Sequence, residues 1–568
     1  MKQVFGVAAL MMAAGLTAAC GSRVDEPALV PAQAETRGYL HDTTQASRVD
    51  EPTYIKPYDA APLPVQRVMF DPAASEFRQT TNHIRRFDDF EDEQPIPLFS
   101  HVQSVASALS ETPYKAPAPA PDVVKQLSYD DYRKIGFKRE ATLFAESGAA
   151  YQMALDSRGS LFQTPVKINL VSETGQSVMG FDPAKFDFSA LDLTEEQKAS
   201  FGYAGFRLLT PLNTSGKFDE VLSVKGASFF RALGVDNHYG ASARGLAIGT
   251  ASPDGEEFPV FREFWIQEPQ PGDQNFVFHA LLDGPSVTGA YQFRLRPGAE
   301  TQMEVTAVLY ARKDTSRIGL APLTSMFEFA PHDPDRDGQD FRPRVHDSEG
   351  LSVLLENGEW IWRPLSNPET LKVSSFTSDI PRGFGLLQRN RDFDQYEDME
   401  AAYEVRPSVW VTPTEGWRDG ELTLVEIPSP NEYNDNIVAY WKLRDPLSEG
   451  QTMRFSYRMD WGMKRPLRSP VSEVLATRVG QSEQTGEELF VIDFAIPPNT
   501  SVEDLTADLS ASSGTARVVS LRMDDVRNRV RLTVELSPEA GSDSELRAVL
   551  KQGERVASET WLFRWSAA

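Results

Sequence analysis

The chain has 568 residues, more than one ordinary domain holds. With 40% hydrophobic and 10% aromatic residues it can build real cores, which excludes disorder along its whole length. Lys+Arg 57 against Asp+Glu 82 gives 57 − 82 = −25. A field of that sign repels phosphate backbones and anionic membrane surfaces, so nucleic acid is not expected as a partner. The single cysteine, Cys20, excludes an intramolecular disulfide, a cysteine-built zinc site and an iron–sulfur cluster.

The first segment reads as an export signal. Lys2 supplies a positive start, and Val4 to Leu16 is an apolar run too short to span a bilayer permanently. Small residues follow up to Cys20. That cysteine stands where a bacterial lipoprotein signal places its lipid-modified residue, although Leu16 is one position too far from it and Thr17 takes the aliphatic place. Two readings stay open: a lipid anchor on Cys20, or an ordinary cleaved signal beside a coincidental cysteine. The first is the expectation, and Gly21 after the cysteine favours the outer membrane by resemblance to bacterial lipoproteins.

Residues 21–95 are rich in Pro, Asp, Glu, Thr and Ala without periodicity, and are expected to form a flexible tether, with one short ordered piece near Phe87 to Phe90. The string Ser22-Arg-Val-Asp-Glu-Pro27 recurs at Ser47–Pro52, too few copies for a solenoid. Over 99–112 the spacing of Val102, Val105, Ala106 and Leu109 predicts a helix, stopped by Pro113 and the alternating Ala-Pro run to Pro121. Leu127 to Phe137 is a second, shorter helix candidate. From about 140 the period becomes two. Val166–Val171, Phe258–Trp265, Tyr291–Leu295 and Met303–Tyr310 read as half-buried strands, and strand signals continue to about 460. The expected fold class is therefore all-β: a large antiparallel sandwich over 96–465. Residues 463–486 are polar with few strand signals and are expected to hold the boundary. Over 475–568 five to seven short strands, with turns at Val526–Arg529 and Lys551–Glu554, suggest an immunoglobulin-like sandwich without the disulfide.

Several long blocks then resemble one family. They include Leu127-Ser-Tyr-Asp-Asp-Tyr-Arg133, Leu323-Thr-Ser-Met-Phe-Glu-Phe329, Arg344-Val-His-Asp-Ser-Glu-Gly-Leu351 and Asn357-Gly-Glu-Trp-Ile-Trp-Arg-Pro-Leu365. Further on come Gly383-Phe-Gly-Leu-Leu-Gln-Arg389, Arg406-Pro-Ser-Val-Trp-Val-Thr-Pro413 and Asn434-Asp-Asn-Ile-Val-Ala-Tyr-Trp441. In this order, over about 97–460, they resemble the bacterial periplasmic glucan biosynthesis proteins G and D; the tether has no counterpart. The resemblance implies a galactose-mutarotase-like sandwich followed by an immunoglobulin-like domain. It also implies a role in making osmoregulated periplasmic glucans with a β-1,2-linked backbone, and likeness to inverting endo-β-1,2-glucanases.

Glycoside hydrolysis needs a protonated carboxyl for the leaving oxygen and an ionised group to take a proton from water. Eighty-two carboxylates offer no choice by composition. The resemblance selects Asp435 as general acid and Asp347 as general base, 435 − 347 = 88 residues apart. The bland alternatives are a turn residue bonding its own backbone for Asp435 and a turn-capping carboxylate for Asp347. Trp360 and Trp362 share a strand face and are candidates for stacking on sugar rings, against the alternative of a core pair. Gln388, Arg389, Tyr433 and Trp441 are further substrate-binding candidates inside the matching blocks, and Arg262 and Glu263 are strand residues placed to face a cleft. Asp333-Pro-Asp-Arg-Asp-Gly338 imitates the start of a calcium loop, but the closing position is Arg344, so neither metal nor cofactor is expected. Two function classes remain: a periplasmic endo-hydrolase of β-1,2-glucan, and a non-catalytic glucan-binding scaffold that assists the inner-membrane glucan synthase. The resemblance also admits a homodimer, for which no motif gives separate support.

Overall fold

A computed structural model describes Gln66–Arg67 and residues 97–566, less 173–174, 334–337, 339, 378 and 497–500. The export signal, Cys20, Phe87–Phe90 and all of the expected tether except Gln66–Arg67 lie outside the described residues, as does most of the calcium-like loop. Gln66–Arg67 pair in parallel with Ser374 and Ser375 at a sheet edge.

Helix α1 (Pro97–Ser110) forms where the spacing predicts it. Its apolar stripe of Phe99, Val102 and Ala106 packs on Trp265, Leu281, Ala290 and Val308, on the outer face of a sheet. Thr288 Oγ1 donates to Ala106 O at 2.7 Å and pins the helix to that face. Of the second helix candidate, Leu127 to Phe137, only the single turn Tyr129–Tyr132 is helical, and a further turn, Asp122–Lys125, lies ahead of it. Ser128 caps the later turn by accepting from Asp131 N at 3.1 Å, and the chain leaves it for the strand Gly136–Phe137.

Two large sheets dominate the described residues, one of eleven strands and one of fifteen. The period-two segments form long antiparallel strands, among them Val287–Arg296 and Glu300–Ala311 of the fifteen-stranded sheet. The inward residues of both sheets meet in one core. Phe206 of the smaller sheet lies 5.3 Å from both Phe264 and Phe278 of the larger, and Phe230 lies 5.3 Å from Phe293. The all-β sandwich is thus the observed class.

The polar stretch 463–486 differs from expectation, because it contains the strand Val474–Gln481. A register shift between Val474 and Ala476 changes which face each later residue takes, so alternation is masked in the sequence. This strand joins Glu488–Ala495, Arg529–Ser537 and Thr515–Asp524 in a four-stranded sheet. The strands Leu505–Ala511, Ser544–Gln552 and Thr560–Trp565 instead prolong the fifteen-stranded sheet. The join is parallel, Ile361 opposite Thr560 and Trp362 opposite Trp561. The C-terminal sandwich is therefore hydrogen-bonded into the large one, and their seam is a shared core.

Candidate active site

Asp435 precedes the strand Ile437–Leu443 of the eleven-stranded sheet, in a loop whose turn chemistry is supplied by its neighbours. Asn431 Oδ1 accepts from Tyr433 N and Asn434 Nδ2, both at 3.1 Å. Asn436 accepts from Phe327 N at 2.8 Å and donates to Phe327 O and Ile427 O at 2.8 and 3.1 Å. The amides hold the turn, and Asp435 is left for other work: its Oδ2 is buried and has no hydrogen-bond partner. Burial pushes its carboxyl up to about 6, against the pull of Arg231, Arg244 and Arg406. Three cations fail to outweigh desolvation here, so the proton is held close to neutral pH.

Asp347 follows the short strand Val345–His346, and its backbone N donates to Met326 O at 2.8 Å. It is 6% exposed, and its carboxylate accepts from Arg406 Nη1. Burial drives the Arg406 guanidinium down to about 9, reinforced by Arg231 and opposed by Glu432 and Asp435. It therefore remains a cation at neutral pH, and the two acidic residues meet one shared positive group in different ways. Asp347 has it as a direct hydrogen-bonded partner; Asp435 feels it only through its field. Burial also keeps His346 neutral, stacked on Phe327 at 5.4 Å.

The surrounding loops are clamped by charge. Arg342 donates to Asp398 at 2.8 Å and to Glu432 at 2.7 Å, and Tyr403 donates to the same Glu432 oxygen at 2.6 Å. The segments bearing Asp398, Tyr403–Arg406 and Glu432–Asp435 are so tied together. Gln388 is buried and donates through Nε2 to His346 O and Tyr403 O at 2.9 and 3.0 Å. It braces the backbone beside Asp347 and Arg406 and does not face a cleft. Tyr433, 58% exposed, is the one expected sugar contact that presents an open aromatic surface, two residues from Asp435.

The remaining expected contacts are structural, which corrects their place as substrate-binding residues. Trp360 and Trp362, 4% and 2% exposed, belong to the seam core with Trp410, Phe490 and Trp561. Arg465 and Arg389 close over their rings at 4.2 and 3.6 Å. Arg389 is committed to Glu559 and Val474 O. Trp441 lies in the main core with Nε1 on Arg418 O at 2.9 Å. Arg262 pairs with Asp283 at 2.7 Å and Glu263 with Lys167 at 2.6 Å. Arg231 and Arg244, which no motif singled out, come from the strands Phe229–Ala232 and Ser242–Arg244 of the sheet that leads to Asp435. A separate cavity of about 390 Å³, lined by Glu356, Arg382 and Trp417 among others, sits away from these groups. Arg382 enters the strand Gly383–Leu387 at the end opposite Gln388.

The family model described as "Periplasmic glucan biosynthesis protein, MdoG" matches residues 98–565. A glucans biosynthesis protein G from Vibrio cholerae is 43% identical over 469 residues, 82% of this chain and 86% of that protein. Proteins of the same name from Shewanella baltica and Shewanella frigidimarina are 43% and 42% identical over 82% of this chain, covering 86% and 84% of their own lengths. Among solved structures, the Slr1438 protein from Synechocystis sp. PCC 6803 aligns at 10% identity and a TM-score of 0.17, over 56% of this chain and 93% of that one.

Proposed function

Because the chain belongs to the periplasmic glucan biosynthesis protein family, MdoG, we propose that it cleaves a β-1,2-glucan backbone by inverting endo-hydrolysis. Asp435 is the general acid and Asp347 the general base. The observation that carries this reading is the opposite condition of the two carboxyl groups. One is desolvated, with a free buried oxygen and a carboxyl pushed up to about 6; the other is engaged by a guanidinium. Pairs of titratable groups driven apart by their surroundings divide acid and base roles.

In the proposed reaction a water oxygen bonds to the anomeric carbon from the face opposite the leaving sugar. The glycosidic C–O bond breaks, the Asp435 proton goes to the departing oxygen, and the water's proton passes to Asp347. When the acid and base act through a single water they stand roughly 6.5–9.5 Å apart, and a relay of waters lengthens that gap. A β-linked substrate then yields an α anomer first. Tyr433 offers a stacking face for a glucosyl ring beside the acid.

The test is incubation of the purified protein with linear β-1,2-glucan, following chain length by chromatography and the first anomer by proton NMR. Shorter chains with an α reducing end are expected. Measurable binding without cleavage at any pH would instead establish the second reading, a glucan-binding scaffold serving the inner-membrane synthase. The engagement of Asp347 by Arg406 is compatible with that alternative as well, since an aspartate–arginine pair beside a tyrosine also suits recognition of sugar hydroxyls. In either reading the protein works in the periplasm. Anchoring through acylated Cys20 at the outer membrane is part of the proposal, checked by mass spectrometry of the native N-terminus; the homodimer is checked by sedimentation.

A further inference from the structure

Burying a guanidinium is unfavourable unless its donors are used, and several independent features are committed to burying that of Arg406. Its Nε and Nη2 donate to Ala401 O at 3.1 and 3.0 Å. Its charged carbon lies 4.2 Å from the centre of the Tyr403 ring. Gly240 lies against its aliphatic stem: a Cβ there would come within 2.9 Å of Arg406 Cβ and 3.1 Å of its Cδ, so only glycine leaves the stem its room. Ala402, whose neighbour accepts those two bonds, is held at φ 45°, a left-handed conformation that residues with side chains avoid. Such strain is retained where the surroundings over-determine it. The one terminal nitrogen not committed to the backbone, Nη1, is delivered to Asp347.

The charged and titratable groups around Arg406 come from several elements. Asp347 meets it directly, Glu432 and Asp435 act on it from the loop before Ile437, and Arg231 acts from the strand Phe229–Ala232. Tyr403 lies under it, with its hydroxyl committed to Glu432, and Arg391 Nη1 donates to the Arg406 carbonyl. Asp435 is faced in turn by Arg231 and Arg244.

We propose that Arg406 is a positioning residue that separates the roles of the two carboxylates: it fixes Asp347 as the anion at the start of each turnover and leaves Asp435 as the proton donor. This assignment rests on the hydrolytic reading above. A base must be ionised before water arrives, and once Asp347 has taken the water's proton the adjacent cation drives that proton back to solvent. A mere packing residue would have no such effect on titration. A guanidinium also presents a planar fork that an ammonium lacks, so Lys is expected to replace the charge but not the alignment.

The experiment compares Arg406→Met and Arg406→Lys with the wild type on β-1,2-glucan from pH 4.5 to 9. In Arg406→Met, kcat at pH 6 is expected to fall by roughly 10²–10⁴-fold with KM nearly unchanged, and the acid limb of kcat against pH to move up by about 1–3 units. In Arg406→Lys the acid limb is expected to return towards the wild-type position, with part of kcat recovered. An unmoved acid limb in Arg406→Met, or an equal loss at every pH that Lys does not relieve, overturns the assignment. Because Arg406→Met strands a buried carboxylate, the fold of each variant is checked by circular dichroism and thermal midpoint, with Arg406→Met/Asp347→Asn as the control that removes the stranded charge. A second readout does not need turnover: the ¹³C carboxyl resonance of Asp347, identified by its loss in Asp347→Asn. It is expected to titrate lowest in the wild type and highest in Arg406→Met, with Arg406→Lys between them. Absence of cleavage by the wild type overturns the hydrolytic reading alone; identical Asp347 titrations in wild type and Arg406→Met overturn the role of Arg406.

Discussion

Arg389 and Glu559 face each other across the seam of the two sandwiches, with both terminal guanidinium nitrogens on the carboxylate at 2.8 and 2.9 Å. Arg465 Nη1 reaches the same carboxylate at 3.0 Å, and Val474 N donates to it at 3.0 Å. Glu559 is fully buried. Burial alone would raise its pKa, but Arg389, Arg465 and the Val474 amide together hold it below the usual glutamate range. A carboxylate in that condition stabilises the fold fully above its unfolded pKa of about 4.3, and the contribution is lost as pH falls through the lower folded value. Glu559→Gln should therefore cost about 3–5 kcal/mol at pH 7, read from urea unfolding, with the gap to wild type narrowing below pH 4. Equal urea midpoints at pH 7 would show that the ion pairs do not secure the seam.

The same seam makes a prediction about truncation. Trp360, Trp362, Leu354, Leu387 and Trp410 of the large sandwich share one core with Phe490, Trp561 and Phe563 of the C-terminal one. A chain ended at residue 466 would uncover these tryptophans together, a contiguous apolar patch that leads to association. Such a fragment is expected to be insoluble or to bind a hydrophobic dye strongly, whereas the full chain does not. A monomeric, soluble fragment with an unaltered tryptophan emission maximum would show that the large sandwich closes its own core.

This seam also marks what local sequence can carry. The strands Val287–Arg296 and Glu300–Ala311 were legible because one face is core and the other is not, so period two survives in the residues. Helix α1 was legible for the same reason at its own period. Trp360 and Trp362 were correctly placed on one strand face. The strand beside it, Thr560–Trp565, comes nearly 200 residues later, and the core that takes the two rings includes Phe490 of the four-stranded sheet; nothing near residue 360 records either. The site divides in the same way. Asp435 and Asp347 stood inside blocks of family resemblance, while Arg231 and Arg244 reach the field of Asp435 only because sheet order brings their strands towards it. Arg406 was inside a quoted block, but its role depends on Ala401, Tyr403 and Gly240, a relationship of space and not of spacing.

Tyr433 tests the substrate side of the proposal. Its ring is 58% exposed and its backbone N is held by Asn431, so the side chain can be removed without disturbing the turn. Tyr433→Ala is expected to raise KM for β-1,2-glucan roughly tenfold, the equivalent of about 1.4 kcal/mol of stacking, with kcat changed little and the thermal midpoint within 1–2 °C, roughly the shift of a surface change in a chain this size. Tyr433→Phe should behave as wild type if stacking is the contribution. An unchanged KM in Tyr433→Ala would remove this ring from the substrate site.

Asp435 tests the chemistry, because activity and stability should move in opposite directions when it is changed. Its carboxyl is pushed up to about 6 from 3.8, and burial is the dominant cause. A shift of about two units corresponds to roughly 3 kcal/mol between the two protonation states. The folded state binds this proton more tightly than the unfolded chain does. Stability on this account therefore falls as pH rises from about 4 to about 6, and the full penalty applies at pH 8. Asp435→Asn keeps the shape and removes the charge, so it should stabilise the protein by about 1–3 kcal/mol at pH 8 and by almost nothing at pH 4. It also removes the transferable proton, so turnover should fall by roughly 10²–10⁴-fold while glucan binding is retained. In the wild type, the rate should decline on the alkaline side with an apparent pKa near 6, or higher once bound glucan displaces water from the carboxyl. Urea unfolding at the two pH values and single-turnover cleavage check both halves. Wild-type activity in Asp435→Asn would sink the acid assignment, and a variant less stable than wild type at pH 8 would mean that the carboxylate is held by attraction to Arg231, Arg244 and Arg406 more than it is penalised by burial.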